Sequence, residues 1–133
     1  MIRSIFLVDD DDLATYLVGR IVKKISDIQS FSFRENGEEG INYLKSISDS
    51  AFPSIIFVDI DMPVMNGFEF LEAYKTEFFP YHPETQVYMM SSSNRKSDML
   101  KSVSYSFVEG FFEKPLHQSK LEELIDHYHS VYS

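Results

Sequence analysis

A short apolar run, Ile55 to Val58, stops abruptly at Asp59, and Pro63 with the Asn66-Gly67 pair then forces a loop. The run reads as a buried strand whose last residue emerges at the end of a sheet. An aspartate at that place is a poor choice for structure alone. It is a good choice for a site, because ligands in open α/β sheets bind beyond the carboxyl ends of the strands. Asp59 is therefore the candidate functional centre, against which the rest of the chain is tested.

Ile2 to Val8 predicts a first strand that runs into Asp9, Asp10, Asp11 and Asp12. Helix capping accounts for Asp11 and Asp12. Asp9 and Asp10 sit directly at the strand end, and four adjacent like charges call for something positive. Leu13, Leu17, Ile21 and Ile25 predict the inner face of a first helix, with Lys23 and Lys24 near its C-terminus. Weak alternation around Phe31 and Phe33 predicts a second strand. Asn36 and Glu39 have capping-box spacing and open a helix carrying Ile41, Tyr43, Leu44 and Ile47.

Asn66 and Glu69 repeat that spacing before a third helix faced by Phe68, Leu71, Tyr74 and Phe78 and ended by Pro80 and Pro83. Val87 to Met90 predicts a strand ending at Ser91-Ser92-Ser93. Asn94 is the expected cap of a fourth helix with Met99, Leu100 and Val103 inward. Phe107 to Phe112 predicts a fifth strand ending at Glu113-Lys114-Pro115. Ser119 and Glu122 are the expected cap of a last helix with Leu121, Leu124, Ile125, Tyr128 and Tyr132 inward. Five strand–helix units without a linker or repeat imply one α/β domain over residues 1–133, doubly wound, with helices on both faces of a parallel sheet.

The formal net charge of −9 disfavours direct contact with nucleic acid or anionic membrane. Without cysteine there is neither a disulfide framework nor a zinc thiolate site. No apolar run approaches a membrane span and no signal-peptide pattern opens the chain, so a cytoplasmic protein is expected. His82, His117, His127 and His129 read as surface residues, and the last two are too close in sequence to share a helix face.

In a parallel sheet the strand ends bring Asp9, Asp10, Asp59, Ser91 and Lys114 to one edge. Phosphoryl transfer needs such a set: an oxygen nucleophile, a hard cation and fixed donors for the phosphoryl oxygens. An oxygen-only ligand set selects Mg²⁺, and Asp59 is the nucleophile of an aspartyl phosphate.

Val8-Asp9-Asp10, Val58-Asp59-Ile60-Asp61-Met62-Pro63, Met90-Ser91-Ser92 and Lys114-Pro115 stand in order on four predicted strand ends. Together they resemble the receiver domain of response regulators, the phospho-acceptor module of two-component signalling, over essentially the whole chain. The resemblance implies a flavodoxin-like (βα)5 sandwich with sheet order 2-1-3-4-5. It implies that Asp59 accepts the phosphoryl group, that Asp10 binds Mg²⁺ directly and Asp9 through water, and that the Asp61 carbonyl is a further ligand. Ser91 then donates to one phosphoryl oxygen and Lys114 pairs with another, the Lys114-Pro115 bond is cis, and Phe111 is the aromatic that changes rotamer. Ser91 stands where threonine is more frequent, Phe111 where tyrosine is common, and Asp61 adds a carboxylate.

The same resemblance implies a sensor histidine kinase or a histidine phosphotransfer protein as donor. It is expected to dock on the first helix at Asp11, Ala14, Thr15 and Val18, read as exposed. A downstream protein is expected to read the fourth helix, fifth strand and fifth helix, with the chain a monomer or weak dimer. With Ser133 closing the last helix, no effector domain is expected, and the module is a signalling part rather than an enzyme beyond partial self-catalysis. Asp59-Ile60-Asp61 also suits a phosphatase of the haloacid-dehalogenase kind. There, however, the acidic metal ligands follow the nucleophile, and this chain has no room for a cap domain. A degenerate receiver that only binds is disfavoured by the complete set of Asp9, Asp10, Asp59 and Lys114. A flavin protein of the same sheet order lacks support, because no Ser/Thr/Gly-rich loop follows the first strand.

Overall fold

The computed structural model describes residues 1–132. Strands and helices alternate: β1 (Ile5–Val8), α1 (Asp12–Lys23), β2 (Phe31–Arg34), α2 (Gly37–Ser46), β3 (Ile55–Asp59), α3 (Gly67–Glu77), β4 (Gln86–Ser91), α4 (Lys96–Val103), β5 (Val108–Glu113) and α5 (Gln118–Tyr132). All strand pairs are parallel, in the order β2-β1-β3-β4-β5. This is the doubly wound arrangement expected from the alternation.

Strands β1, β3 and β4 are buried on both faces, which is why they read as unbroken apolar runs. Their alternation sends Phe6, Val8, Ile56, Val58, Val87 and Met89 into one layer with α2 and α3. Ile5, Leu7, Ile55, Phe57, Tyr88 and Met90 enter the other with α1 and α5. The register sets Asp59 beside Met90 and Ser91 beside Glu113, so the polar strand ends share one edge.

Several helix faces differ from the sequence reading. In α1 the buried residues are Val18 and Val22, whereas Leu13 is 63% exposed and Leu17 is exposed as well. Ala14, Val18 and Val22 recur at four-residue spacing just as Leu13, Leu17 and Ile21 do. Periodicity does not choose between neighbouring stripes; packing against the sheet does. Val18, at 4% exposure, is thus no exposed docking residue; Asp11 is exposed, and Ala14 and Thr15 are half-buried.

Helix α4 starts later than expected, with Arg95 rather than Asn94 at its N-cap and no side-chain cap bond. Met99, Leu100 and Val103 are exposed, and the buried residue is Ser102, whose hydroxyl donates to the Asp98 carbonyl at 2.7 Å. Helix α5 begins at Gln118, so Ser119 lies inside its first turn rather than capping it. Leu121, Leu124 and Ile125 are buried as expected, but Tyr132 is exposed beside Tyr128. In α3 it is Phe70, not Phe68, that joins Leu71, Tyr74 and Phe78 in the core. His82 is buried, stacked on Phe52 at 3.7 Å with Asp49 and Glu84 beside it, because the loop after α3 folds back under β3. The first strand is shorter than Ile2 to Val8; Ile2 makes an isolated bridge to Ile28. Ser133, expected to close α5, lies outside the described residues.

Candidate functional site

The aspartate run divides its tasks. Asp11 caps α1, accepting from the Leu13 and Ala14 N–H groups at 2.9 and 3.3 Å. Asp9 is buried; one of its carboxylate oxygens accepts from the Asp11 N–H at 2.9 Å and the other from the Lys114 ammonium at 3.0 Å. Asp10 is exposed. At the end of β3, Asp59 is buried, with a carboxylate oxygen 3.6 Å from Lys114 Nζ. One carboxylate oxygen each from Asp9, Asp10 and Asp59 lie within 4.8 Å of one another.

The loop after Asp59 is fixed by its backbone. Ile60 N–H donates to the Met90 carbonyl at 3.0 Å, and Gly67 N–H to the Ile60 carbonyl at 2.9 Å. A Cβ on Gly67 would lie 2.5 Å from the Asp59 carbonyl oxygen, so only glycine lets α3 begin so close to the site. Between them the chain makes a three-residue γ-turn: Met65 N–H donates to the Pro63 carbonyl at 2.7 Å around Val64, whose φ is 67°. A β-branched residue at positive φ is strained, and the surrounding bonds hold it there. The capping box of Asn66 and Glu69 then starts α3 as its spacing predicts.

Lys114 follows β5, and its N–H donates to the Ser91 carbonyl at 2.7 Å, which fastens the end of β5 to β4. The Lys114-Pro115 bond is cis, as expected. Ser91 is fully buried, and its hydroxyl oxygen accepts from the Ser93 N–H at 3.1 Å, a local turn at the strand end. Phe111 lies opposite Met89 on the outermost strand, half-buried against the layer of α2 and α3. The Asp61 side chain is exposed and outside the carboxylate cluster; Arg95 lies 3.9 Å from it and also bonds Asp98 at 3.1 Å. The edge thus gathers Asp9, Asp10, Asp59 and Lys114, with Ser91 on the neighbouring strand end. Phe111, Asp61 and the residues of α1 stand around it.

Burial, and then the Asp9 charge, push the Asp59 carboxyl up to about 7, against the pull of Lys114. The Lys114 pKa is raised as well: burial disfavours its charge, but the Asp9 hydrogen bond with the Asp9 and Asp59 charges more than offsets this. One ammonium faces three carboxylates. Such an excess of negative oxygen, with no sulfur or imidazole among the clustered groups, suits a hard divalent cation.

Sequence reasoning missed Arg95 and the strain at Val64. Arg95 carries no motif, and a valine at positive φ runs against its own propensity. Gly67 was visible only as half of an Asn-Gly turn.

A family model for the response regulator receiver domain matches residues 5–126. A solved two-component response regulator from Cytophaga hutchinsonii is 30% identical, covering 97% of this chain and 98% of that one, with a TM-score of 0.90. The nitrate/nitrite response regulator protein NarL of Escherichia coli K12 is 25% identical over 89% of this chain, which spans only 50% of NarL. A protein-glutamate methylesterase/protein-glutamine glutaminase of Clostridium acetobutylicum is 29% identical over 98% of this chain and 37% of its own length. What these otherwise different proteins share with it is one module, and the family model covers nearly all of the described chain: the chain belongs to the response regulator receiver domain family.

Proposed function

We propose that this receiver accepts a phosphoryl group on Asp59 from a phosphohistidine donor and passes the change to a partner. The observation that carries the reading is the pairing of a buried, proton-avid Asp59 with Lys114 beside two further carboxylates. An Asp59 oxygen attacks phosphorus, the P–N bond breaks, and the donor imidazole leaves with the electron pair. Later a water attacks the same phosphorus and the P–O bond to Asp59 breaks.

Asp9, Asp10, Asp59 and the Asp61 carbonyl are the groups that would hold Mg²⁺. When bound, it offsets charge on the phosphoryl oxygens and favours ionised Asp59. Lys114 is already held by Asp9 within reach of Asp59, so it meets a phosphoryl oxygen with little reorganisation. Ser91 must release the Ser93 N–H to donate its hydroxyl toward the phosphoryl group. Phe111, on the same side of the sheet, fills the space that Ser91 leaves.

The donor is a sensor histidine kinase or a histidine phosphotransfer protein, docking at the site end of α1. Leu13 and Leu17, exposed near Asp11 and Ala14, take the place expected for Val18. Output is read at α4, β5 and α5, where Met99, Leu100 and Val103 are exposed. No helix among the described residues is long and apolar enough to cross a membrane, in keeping with a cytoplasmic place of work.

Intact mass tests the assignment. With Mg²⁺ and a small phosphodonor the protein should gain one phosphoryl group. Asp59→Asn should gain none, and uptake that persists in Asp59→Asn would move the acceptor elsewhere.

A further inference from the structure

Helix α1 has a second face, turned away from the site toward β2. There Tyr16, Gly19, Phe31 and Phe33 floor a largely apolar groove of about 380 Å³. A second cavity of about 320 Å³, sharing Gly19, Lys23 and Phe31, continues it toward Ile28 and Gln29. Gly19 presents no side chain, which deepens the groove opposite the Phe31 ring. Phe33 is 52% exposed and Tyr16 is exposed as well, with the Phe31 and Phe33 rings 5.9 Å apart. Folding leaves these aromatics half-covered, although nothing in the phosphoryl site uses them.

The groove runs along an open sheet edge, because β2 is terminal in the strand order. Ile5 and Asp9 N–H groups donate to the Ser30 and Arg34 carbonyls, each at 3.1 Å, so residues of that parity face β1. Phe31 and Phe33 therefore turn their backbone groups outward. The Phe33 carbonyl is covered by the Arg34 guanidinium at 2.6 Å, and the other three outward groups face the open edge. Edge strands are commonly guarded by charge, proline or a bulge. On this one Phe33 stands in the open.

Charge decides what fits. Arg20 and Lys23 rim one end of the groove, and among the described residues neither pairs with a carboxylate. The Arg20 guanidinium lies 5.9 Å from the Tyr16 ring centroid instead. The other end is acidic: Asp12 lines it, and Glu39, through its hydrogen bond and then its charge, pushes the nearby Glu35 carboxyl up. In a molecule of net charge −9 this cationic end is out of keeping with the whole. A second copy set edge to edge would bring cation to cation or acid to acid when aligned in parallel, and −9 to −9 in any alignment.

We infer that the α1–β2 groove is a docking site for an extended protein segment that adds to the β2 edge. Its apolar side chains, at alternate positions, sit over Phe31, Phe33 and Gly19, and its acidic residues lie at the end over Arg20 and Lys23. Main-chain hydrogen bonds supply the affinity and the charge gradient sets the direction. The site is independent of phosphorylation at Asp59, so a receiver holds two partners at once, one at each face of α1.

The test uses ¹⁵N-labelled protein and ten-residue peptides of alternating valine and threonine. One pair carries two glutamates at the N- or C-terminus, and a matched pair carries two lysines there. One glutamate peptide should give saturable shifts and exchange protection at the Phe31 and Phe33 amides. It should bind about tenfold tighter than its lysine counterpart. Phe33→Ser should abolish the shifts, and a double Arg20→Glu, Lys23→Glu variant should reverse the charge preference. The inference is overturned by no shifts at β2 up to millimolar peptide, by shifts confined to α4 and α5, or by equal binding of both charges. It is also overturned if the protein alone sediments as a dimer that Phe33→Ser dissociates, because the occupant is then a second copy.

Discussion

Helix α1 begins with an aspartate that bonds two of its free N–H groups, and it buries Val18 and Val22 against the sheet. Helix α4, across the same edge, begins at Arg95 without a side-chain cap and buries only Ser102. The first is continuous with the carboxylate cluster through Asp9, which bonds both its own loop and Lys114. The second rests on β5 with its large apolar residues outward. The difference assigns roles. One side holds the carboxylate cluster and Lys114 in fixed register, and the other is the side expected to open at low cost, as elements that move must.

The fixed side stores electrostatic strain, and this gives the largest expected effect. Asp59 holds its proton up to about 7 in the fold, against 3.8 for an ordinary aspartate. Between those values the folded chain binds the proton more tightly than the unfolded one. The stability it contributes is complete below about pH 4 and is lost as the pH rises through 7. Metal-free protein should therefore lose on the order of 3 kcal/mol from this group between pH 4 and 8. Urea melts in chelator across that range should show the slope, and Asp59→Asn should flatten it. An unchanged slope in the variant would place the strain on other groups.

Next in size is the packing contrast. Val22→Ala, in the buried stripe of α1, should cost about 2 kcal/mol in urea unfolding. Leu100→Ala, at a site 54% exposed in α4, should cost less than about 0.5 kcal/mol. Comparable losses would mean that α4 is held as firmly as α1, and the division of roles would fail. The caps sharpen the same point at smaller scale. Asp11→Ala should cost about 1 kcal/mol, whereas Asn94→Ala, at a residue the helix does not use as its cap, should be close to neutral in thermal melts.

The buried centre was legible because burial on both faces writes unbroken apolar runs, and each run ends where its strand does. Asp9, Asp10, Asp59, Ser91 and Lys114 followed from those ends alone. Helix faces were less legible. Leu13 and Leu17 look like core by size, yet Ala14, Val18 and Val22 have the same spacing and lie inward. In α4, Met99, Leu100 and Val103 look like an inner face, and the inner residue is a serine that bonds its own helix. His82 looked like a surface histidine because its partners, Phe52 and Asp49, are remote in sequence. Hydrophobicity reports which residues gain by burial; it does not report which of two adjacent stripes the rest of the chain covers.

The smallest expected effect lies on the line between the two helices. Arg95, at the N-cap of α4, is 3.9 Å from Asp61 in the loop that follows Asp59. Both side chains are largely exposed, so the pair is screened and worth no more than a few tenths of a kcal/mol to the fold. Its consequence is kinetic. If Asp59 is phosphorylated as proposed, a free Asp61 carboxylate is expected to orient the attacking water, and one held by Arg95 to do so less. Asp61→Ala should lengthen the phosphoryl lifetime and Arg95→Ala should shorten it, each by about twofold, or about 0.4 kcal/mol in barrier. Decay of the phosphorylated mass after removal of the donor reads both. The double variant separates the causes. If Arg95 acts through Asp61, the double variant decays as slowly as Asp61→Ala. If the two effects add instead, so that the double variant decays at about the wild-type rate, the guanidinium acts independently of Asp61, on the phosphoryl group itself.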